Sequence, residues 1–337
     1  MAKRITYFDW LRGAATYAVV LLHVFNKMLA DHPVSDFPLP MVIAWTELQL
    51  VLTRWAVPVF LMITGALLLD PKREVTWQKL CGYVMRMLAV LAIFCPVYAC
   101  MSARCISLEA IGRGLVQAAT YGSWDHLWYV YSLIGLYLLT PILSAYVRGA
   151  TKAQQRMTLF VLSVPTLLIP TINKATGANL VTFVWVTYVL FYYLLGAYAH
   201  QYLSLSDTTA AWGVGSLATA MVGGAAIIVL LGTYPLWIMN PRCPLMVPWS
   251  LFVFLAAKRH LEGRPAPGPL ALASNLSLAI YLIHPLPLVV LYRRLWWMPY
   301  ETLPPVIFEI VAFALVLGTT VPVAMLLKRV PGLRRIL

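Results

Sequence analysis

The chain has 337 residues, of which 61% are hydrophobic and only 11% are charged. Soluble globular proteins carry about 25% charged residues, so this composition excludes a soluble fold and predicts an all-α, polytopic membrane helix bundle. The net charge of +13 does not indicate a nucleic-acid partner. The basic residues of the chain lie in short clusters between apolar segments, as the positive-inside rule predicts for a membrane protein.

Apolar segments predict ten transmembrane helices at about 20 residues per span, although the eighth is short. We expect them near residues 9–30, 41–69, 83–102, 126–147, 157–173, 182–203, 210–232, 244–257, 272–292 and 303–327. Ten spans place both termini on one side, and most of the 25 Lys and Arg residues fall there, which predicts cytoplasmic termini. We therefore expect one transmembrane domain over residues 1–337 with no appended soluble domain.

The first expected helix carries two ionisable residues, Arg12 and His23, within an apolar run. Their separation covers ~16 Å of helical rise and returns to nearly the same face. A charge in hydrocarbon costs ~2.5 kcal/mol or more, so such residues face protein, water or a ligand. The pair predicts a polar lane along the membrane normal, with Arg12 toward the cytoplasm and His23 deeper.

Arg54 is a second ionisable residue expected at mid-membrane depth, in the span 41–69. A structural ion pair with Glu47 or Asp9 is the alternative to a functional role. Pro58 is expected to bend this helix below Arg54, because proline lacks the N–H that a helix interior requires.

Two further histidines lie in expected spans. His284 is deep in the ninth span, where a hydrogen-bonded structural histidine is the alternative. His126 stands beside Trp128 at the outer edge of the fourth span, where an interfacial histidine is the simpler interpretation. The five cysteines show no metal-ligand spacing, so no metal site is expected.

Taken in chain order, these residues resemble the acyltransferase-3 family of integral membrane O-acyltransferases. The motifs that carry the resemblance are Arg12-x10-His23, Arg54-x-x-Val-Pro58-x-Phe60-x4-Gly65, His126-Leu-Trp128, Tyr192-Tyr193-x-x-Gly196 and Ser277-Leu-x-Ile-Tyr281-x-x-His284. The resemblance implies an acyl-CoA donor, usually acetyl-CoA, and as acceptor a hydroxyl of a cell-envelope or lipid-linked glycan. The location it implies is a bacterial inner (plasma) membrane, with membrane lipid as a further partner.

The resemblance also suggests roles for ten residues. We expect His23, Arg54 and His284 to be catalytic, Arg12, Asp9, Arg86 and Lys72 to bind the donor, and His126, Trp128 and Tyr281 to bind the acceptor. For Arg86 and Lys72, a role in membrane topology alone is the favoured alternative. His23 is either a general base or a carrier of the acyl group.

Two other classes of protein compete with this interpretation. A secondary transporter or lipid-linked sugar flippase also places ionisable groups at the membrane midplane, typically with inverted repeats or broken helices. The sequence shows neither of these signs. A non-catalytic scaffold leaves several ionisable residues within apolar spans unexplained. Small-residue helix faces suit a homodimer or packing within one chain equally.

Overall fold

A computed structural model describes the chain over residues 5–31, 33–73, 75–120, 124–180, 187–291 and 305–337. Every regular element in these ranges is helical, which confirms the predicted all-α fold. The starts of two expected spans, 182–203 and 303–327, lie outside the described residues.

Within the described ranges, six helical segments are long and apolar enough to cross a membrane, or seven if one bent pair counts as a span. They are Leu39–Leu68, Trp77–Ala103, Trp128–Gly149, Lys152–Thr176, Asp207–Leu231 and Val306–Leu327, and the bent pair is Gly268–Asn275 with Ser277–Val289. The chain is therefore a multi-pass membrane protein. The count of ten spans and the cytoplasmic termini stay predictions.

The chain forms two compact units, each assembled from two separate stretches of sequence. The first unit contains Met1–Leu67 and Ala150–Pro322, and the second contains Leu68–Gly149 and Val323–Leu337.

In the first unit, α1 (Thr6–Asp31) is the helix around which the candidate site is built. The other helices of this unit are α2 (Leu39–Leu52), α3 (Ala56–Leu68), α7 (Lys152–Ser163), α8 (Ile169–Thr176), α9 (Tyr188–Tyr202), α10 (Asp207–Leu231), α11 (Met246–Leu261), α12 (Gly268–Asn275), α13 (Ser277–Ile283), α14 (Pro285–Val289) and most of α15 (Pro305–Leu327). Helix α1 packs against α11, α12 and α13, and α10 packs against α2 and α11.

The second unit is built on α4 (Trp77–Ala103), which carries Pro96 in its interior. Its other helices are α5 (Leu108–Thr120), α6 (Trp128–Gly149) and α16 (Pro331–Ile336). Helix α4 packs against all three. The hydroxyl of Tyr131 on α6 donates to the carbonyl of Ala118 on α5 at 2.9 Å, which ties these two helices together.

Two of the expected spans are broken helices rather than continuous ones. The segment 41–69 is interrupted at Thr53–Trp55, where the carbonyl of Gln49 accepts the backbone N–H groups of both Thr53 and Arg54. Pro58 follows this break near the start of α3, where a missing N–H costs little. The expected bend at Pro58 is therefore replaced by a break before it.

The second broken span is the segment 272–292, which turns by 71° between α12 and α13. The break falls at Leu276, whose backbone φ of −100° and ψ of 6° leave the helical region. His284 and Tyr281 lie on the second part of this span. Both breaks occur beside α1, since α2 and α13 contact that helix.

Two motif glycines allow close packing between α3 and α9. A Cβ atom at Gly65 would overlap the carbonyl oxygen of Tyr193, and one at Gly196 would overlap the carbonyl oxygen of Met62. Small residues permit such close backbone approach in membrane helices. These two motif positions therefore serve the fold that holds Arg54, rather than the chemistry itself.

Candidate active site

Helix α1 carries four polar residues of the candidate site: Asp9, Arg12, His23 and Asn26. Because the helix is continuous from Thr6 to Asp31, Arg12 and His23 lie ~16 Å apart along its axis and on nearly the same face. The spacing inferred from the sequence therefore applies to the folded chain.

His23 and His284 meet across two helices, with ring centroids 4.8 Å apart and ring planes at 61°. His284 is completely buried, whereas His23 is partly accessible. The structure thus brings together two of the three residues expected to be catalytic. His23 is the one that a substrate can reach more easily.

Each ring is oriented by its own helix. The Nδ1 atom of His23 lies 2.8 Å from the carbonyl of Val19, and the Nδ1 atom of His284 lies 3.0 Å from the carbonyl of Ile280. A carbonyl oxygen only accepts hydrogen bonds, so Nδ1 is the protonated nitrogen of each ring. In the neutral ring of His23, Nε2 is then the atom with a lone pair for a proton.

Arg54 stands at the break between α2 and α3 and is held by neutral groups. Its Nη2 donates to Oδ1 of Asn26 at 2.9 Å and to Oε1 of Gln49, and lies 3.9 Å from Sδ of Met239. Its Nε is buried and has no hydrogen-bond partner within the described part of the chain. Asn26 lies three residues after His23 on α1, so its hydrogen bond with Arg54 places the guanidinium in the neighbourhood of His23.

These contacts replace the ion pair with Glu47 or Asp9 that was the alternative for Arg54. No carboxylate contacts its guanidinium among the residues that the structure describes. A buried cation held only by amides is costly unless another group compensates its charge. The arrangement is therefore suited to negative charge that develops on a ligand.

Asn26, Gln49 and Met239 were not predicted as site residues from the sequence. Asn26 lies three residues after His23, and Gln49 is a fully buried amide in a mostly apolar helix. Both are polar residues within apolar spans, which was the available signal. Neither carries a charge, and charge was the property that marked the predicted candidates.

Asp9 and Arg12 lie near the other end of α1. The hydroxyl of Ser274 donates to Oδ1 of Asp9 at 3.3 Å, just before the break at Leu276. A Cβ atom at Gly13 would overlap the backbone of Leu270, so this glycine lets α1 and α12 approach closely. Asp9 thereby faces the broken span that carries His284.

Tyr281 lies one turn before His284, with its ring centroid 6.2 Å from that of His284. Its side chain packs against a cluster formed by residues of α1 and α3, which includes Val19 and Ala56. Tyr281 is therefore part of the same unit and the same neighbourhood as the histidine pair.

Arg86 and Lys72, two expected donor-binding residues, belong to the second unit. Arg86 donates from Nε to the backbone oxygen of Ile336 at 2.5 Å and from Nη2 to that of Leu337 at 2.8 Å. Lys72 is exposed in a turn in which its backbone N–H donates to Oδ1 of Asp70 at 3.0 Å. These contacts give Arg86 a structural role, and donor binding by either residue stays a prediction.

His126 and Trp128 also belong to the second unit. His126 is 3% exposed and meets Tyr98 edge-on at a centroid distance of 4.9 Å, while Trp124 stacks on Tyr98 at 5.2 Å. Trp128 is 40% exposed. His126 is thus a member of an aromatic cluster and not a solvent-facing interfacial histidine. Acceptor binding by His126 and Trp128 stays a prediction.

A family model described as an acyltransferase domain matches residues 5–329. The chain belongs to the acyltransferase-3 family. The match covers nearly the whole chain and both units, so this membrane helix fold is that of an acyltransferase. No significant match was found among curated proteins or among solved structures.

Proposed function

We propose that this acyltransferase-3 protein is an O-acyltransferase of the bacterial inner membrane. It moves an acyl group, most simply acetyl, from cytoplasmic acyl-CoA to a hydroxyl of a cell-envelope or lipid-linked glycan. The observation that carries the proposal is the contact between His23 and His284, with Arg54 held nearby by neutral amides. No metal ion takes part in the proposed reaction.

The first proposed step is proton removal from the acceptor. A sugar hydroxyl is a weak nucleophile, and Nε2 of His23 takes its proton as the oxygen attacks the thioester carbonyl carbon. General-base catalysis of this kind typically contributes 10²–10⁴-fold. The Val19 carbonyl supports the role because it fixes the tautomer in which Nε2 is the base.

The second proposed step is collapse of the tetrahedral intermediate. Its oxyanion is stabilised by Arg54, because a fixed cation in a water-poor site acts more strongly than in bulk solvent. The carbon–sulfur bond breaks, the acyl group stays on the sugar oxygen, and His23 returns its proton to the sulfur of CoA. His284 packs on His23 and holds its ring in place.

Donor and acceptor enter from opposite directions in this proposal. Arg12, fixed in the same helix as Asp9, binds phosphates of CoA toward the cytoplasmic end of α1, and the thioester reaches along the helix to His23. Arg86 and Lys72 rank below Arg12 as proposed donor contacts, because they belong to the second unit and Arg12 belongs to the first. Tyr281 contacts the acceptor beside His284, and His126 and Trp128 are further acceptor candidates.

We further propose a likeness to stand-alone bacterial members of the family that O-acetylate enterobacterial common antigen, on the basis of the sequence motifs. This likeness makes an envelope polysaccharide the leading acceptor and acetyl the leading acyl group, with succinyl second. Such a glycan lies on the far side of the membrane from acyl-CoA. A site reached from both ends of α1 suits that separation.

The proposal is tested with purified protein in vesicles that also contain extracted envelope glycolipids. Radiolabelled acetyl-CoA is added, and both CoA release and label on the glycan are measured. We expect release and transfer in equal amounts. Labelled protein trapped by rapid quenching before glycan labelling, and lost in a His23→Ala variant, would indicate an acyl-His23 carrier instead of a general base.

A transporter or flippase is the second candidate, because such proteins also contain broken helices like the span bent by 71° between α12 and α13. In the same vesicles, movement of labelled glycolipid across the bilayer without CoA release supports that candidate. Absence of both CoA release and label transfer, with glycolipid movement intact, would overturn the acyltransferase proposal.

A further inference from the structure

The contacts around Arg54 include two neutral amides from different helices. Asn26 on α1 and Gln49 on α2 both present their side-chain oxygens to Nη2 of Arg54. A carboxylate is the usual partner of a buried guanidinium, because it compensates the charge. Here the amides fix the position of the guanidinium without neutralising it.

Two buried donors in this cluster have no partner within the described ranges. They are Nε of Arg54 and Nε2 of Gln49. A buried donor that lacks an acceptor is destabilising, so native proteins retain few of them without a reason. Both donors belong to side chains already joined by a hydrogen bond, so they lie in one small cluster.

Asn26 also links Arg54 to His23. It lies three residues after His23 on the same continuous helix, so the two side chains are neighbours on its surface. The hydrogen bond from Arg54 to Asn26 therefore fixes Arg54 relative to the base. A misplacement of about 1 Å at such a site can cost 10²-fold in rate.

We infer that Asn26 and Gln49 are positioning residues that aim Arg54 at the oxygen of the transferring acyl group. They hold Nη2, keep the positive charge available, and leave Nε to donate to the developing oxyanion. Gln49 adds a second donor through Nε2. This inference rests on the proposed acyl transfer, and it assigns a role to two residues outside the family motifs.

The test uses the near-isosteric acids Asn26→Asp and Gln49→Glu. Each keeps an oxygen for Nη2 of Arg54 but adds a negative charge beside it. A charge-assisted hydrogen bond is stronger than a neutral one, so thermal stability should be kept or raised. The rate of acetyl transfer should nevertheless fall, by about 10²-fold in kcat, with KM for acetyl-CoA changed less than threefold.

Retained stability together with a lowered kcat distinguishes a residue that positions Arg54 from one that only stabilises the fold. A residue that only stabilises the fold would tolerate the acid, since the acid binds Arg54 at least as well. Asn275→Asp is the matched control: it makes the same chemical change at an exposed position on α12, and its transfer rate should equal that of the wild type. Asn26→Ala and Gln49→Ala provide variants without added charge.

Wild-type kcat in stable Asn26→Asp and Gln49→Glu proteins would overturn the inference. If the acids do not fold, the alanine variants decide it: wild-type kcat in both would equally overturn it, and a lowered kcat with unchanged KM would support it. Failure of the proposed function gives a different result, because the wild type itself would then release no CoA. That outcome would overturn both proposals together.

Discussion

Arg54 in the first unit and Arg86 in the second both lie in apolar segments, but their guanidinium groups are held differently. Arg86 donates to two backbone oxygens at the end of α16, a contact that fastens one part of the second unit to another. Arg54 is held by two side-chain amides and keeps a buried Nε without a partner in the described chain.

The histidines of the two units differ in the same way. His126 packs in an aromatic cluster with Tyr98, whereas His23 meets a second histidine and lies three residues before the Asn26 that binds Arg54. Burial of an ionisable residue in a membrane protein is therefore a weak indicator of function when taken alone. The nature of the groups around it distinguishes the candidate active site from the helix-packing contacts.

The largest effect is expected from His23→Ala. Loss of the base should lower acetyl transfer by about 10²–10⁴-fold, while the protein still folds and inserts, because the side chain is only partly buried. The rate of label transfer from acetyl-CoA is the measurement. His126→Phe is the comparison, since it preserves the ring contact with Tyr98 and should lower the transfer rate far less than His23→Ala does. A raised KM for the acceptor in His126→Phe would instead support acceptor binding by His126.

Arg54→Gln is expected to have the next largest effect. It removes the cation and the Nε donor but keeps a polar side chain, so kcat should fall about 10²–10³-fold. Arg54→Lys should recover little, because an ammonium cannot reproduce the guanidinium fork. Initial rates over a range of acetyl-CoA concentrations measure both. If the lysine variant restores the wild-type rate, the geometry of the fork is irrelevant and charge alone is sufficient.

His284→Phe tests the histidine pair with a smaller change. The ring still packs against His23, so a fall of about tenfold in kcat is expected if His284 only orients its neighbour. A loss as large as that of His23→Ala would show that His284 takes part in proton transfer itself.

The smallest effect on transfer is expected from Arg86→Ala. Removing two hydrogen bonds from a charged donor should destabilise the protein by about 2 kcal/mol, measured as a lower Tm, with an unchanged KM for acetyl-CoA. Lys72→Ala is the control, because its side chain is exposed in a turn. An unchanged Tm with a raised KM for acetyl-CoA would instead support donor binding by Arg86.

The helical class and the membrane location could be predicted from the sequence, because composition and hydropathy report the apolar length of each segment directly. It was equally predictable that Arg12 and His23 lie on nearly the same face of one helix, since α1 is continuous. These properties depend on local sequence, and the structure agrees with them.

The two helix breaks could not be predicted in the same way. The segment 41–69 is apolar on both sides of Thr53, and its break depends on Gln49 accepting two backbone N–H groups. Apolar length does not report such a change of hydrogen-bond register. The contacts of Asn26 and Gln49 with Arg54 also required the fold, because they join side chains from different helices.

The division into two units could not be predicted from the sequence either. Arg86 and Lys72 were grouped with Arg12 because all are basic and near expected span ends. The grouping of residues into units depends on long-range packing, which charge bias does not encode. Such residues can be assigned to a site only after their partners are known.

The most direct test of a shared acyl-transfer site is a double-variant cycle with His23→Ala and Arg54→Gln, measured as kcat/KM for acetyl transfer. Residues that act as one unit on a single step give strongly non-additive effects. We predict that the double variant loses clearly less activity than the product of the two single losses, because both residues act on the same tetrahedral step. A loss equal to the product of the two single losses would contradict a shared site at these residues.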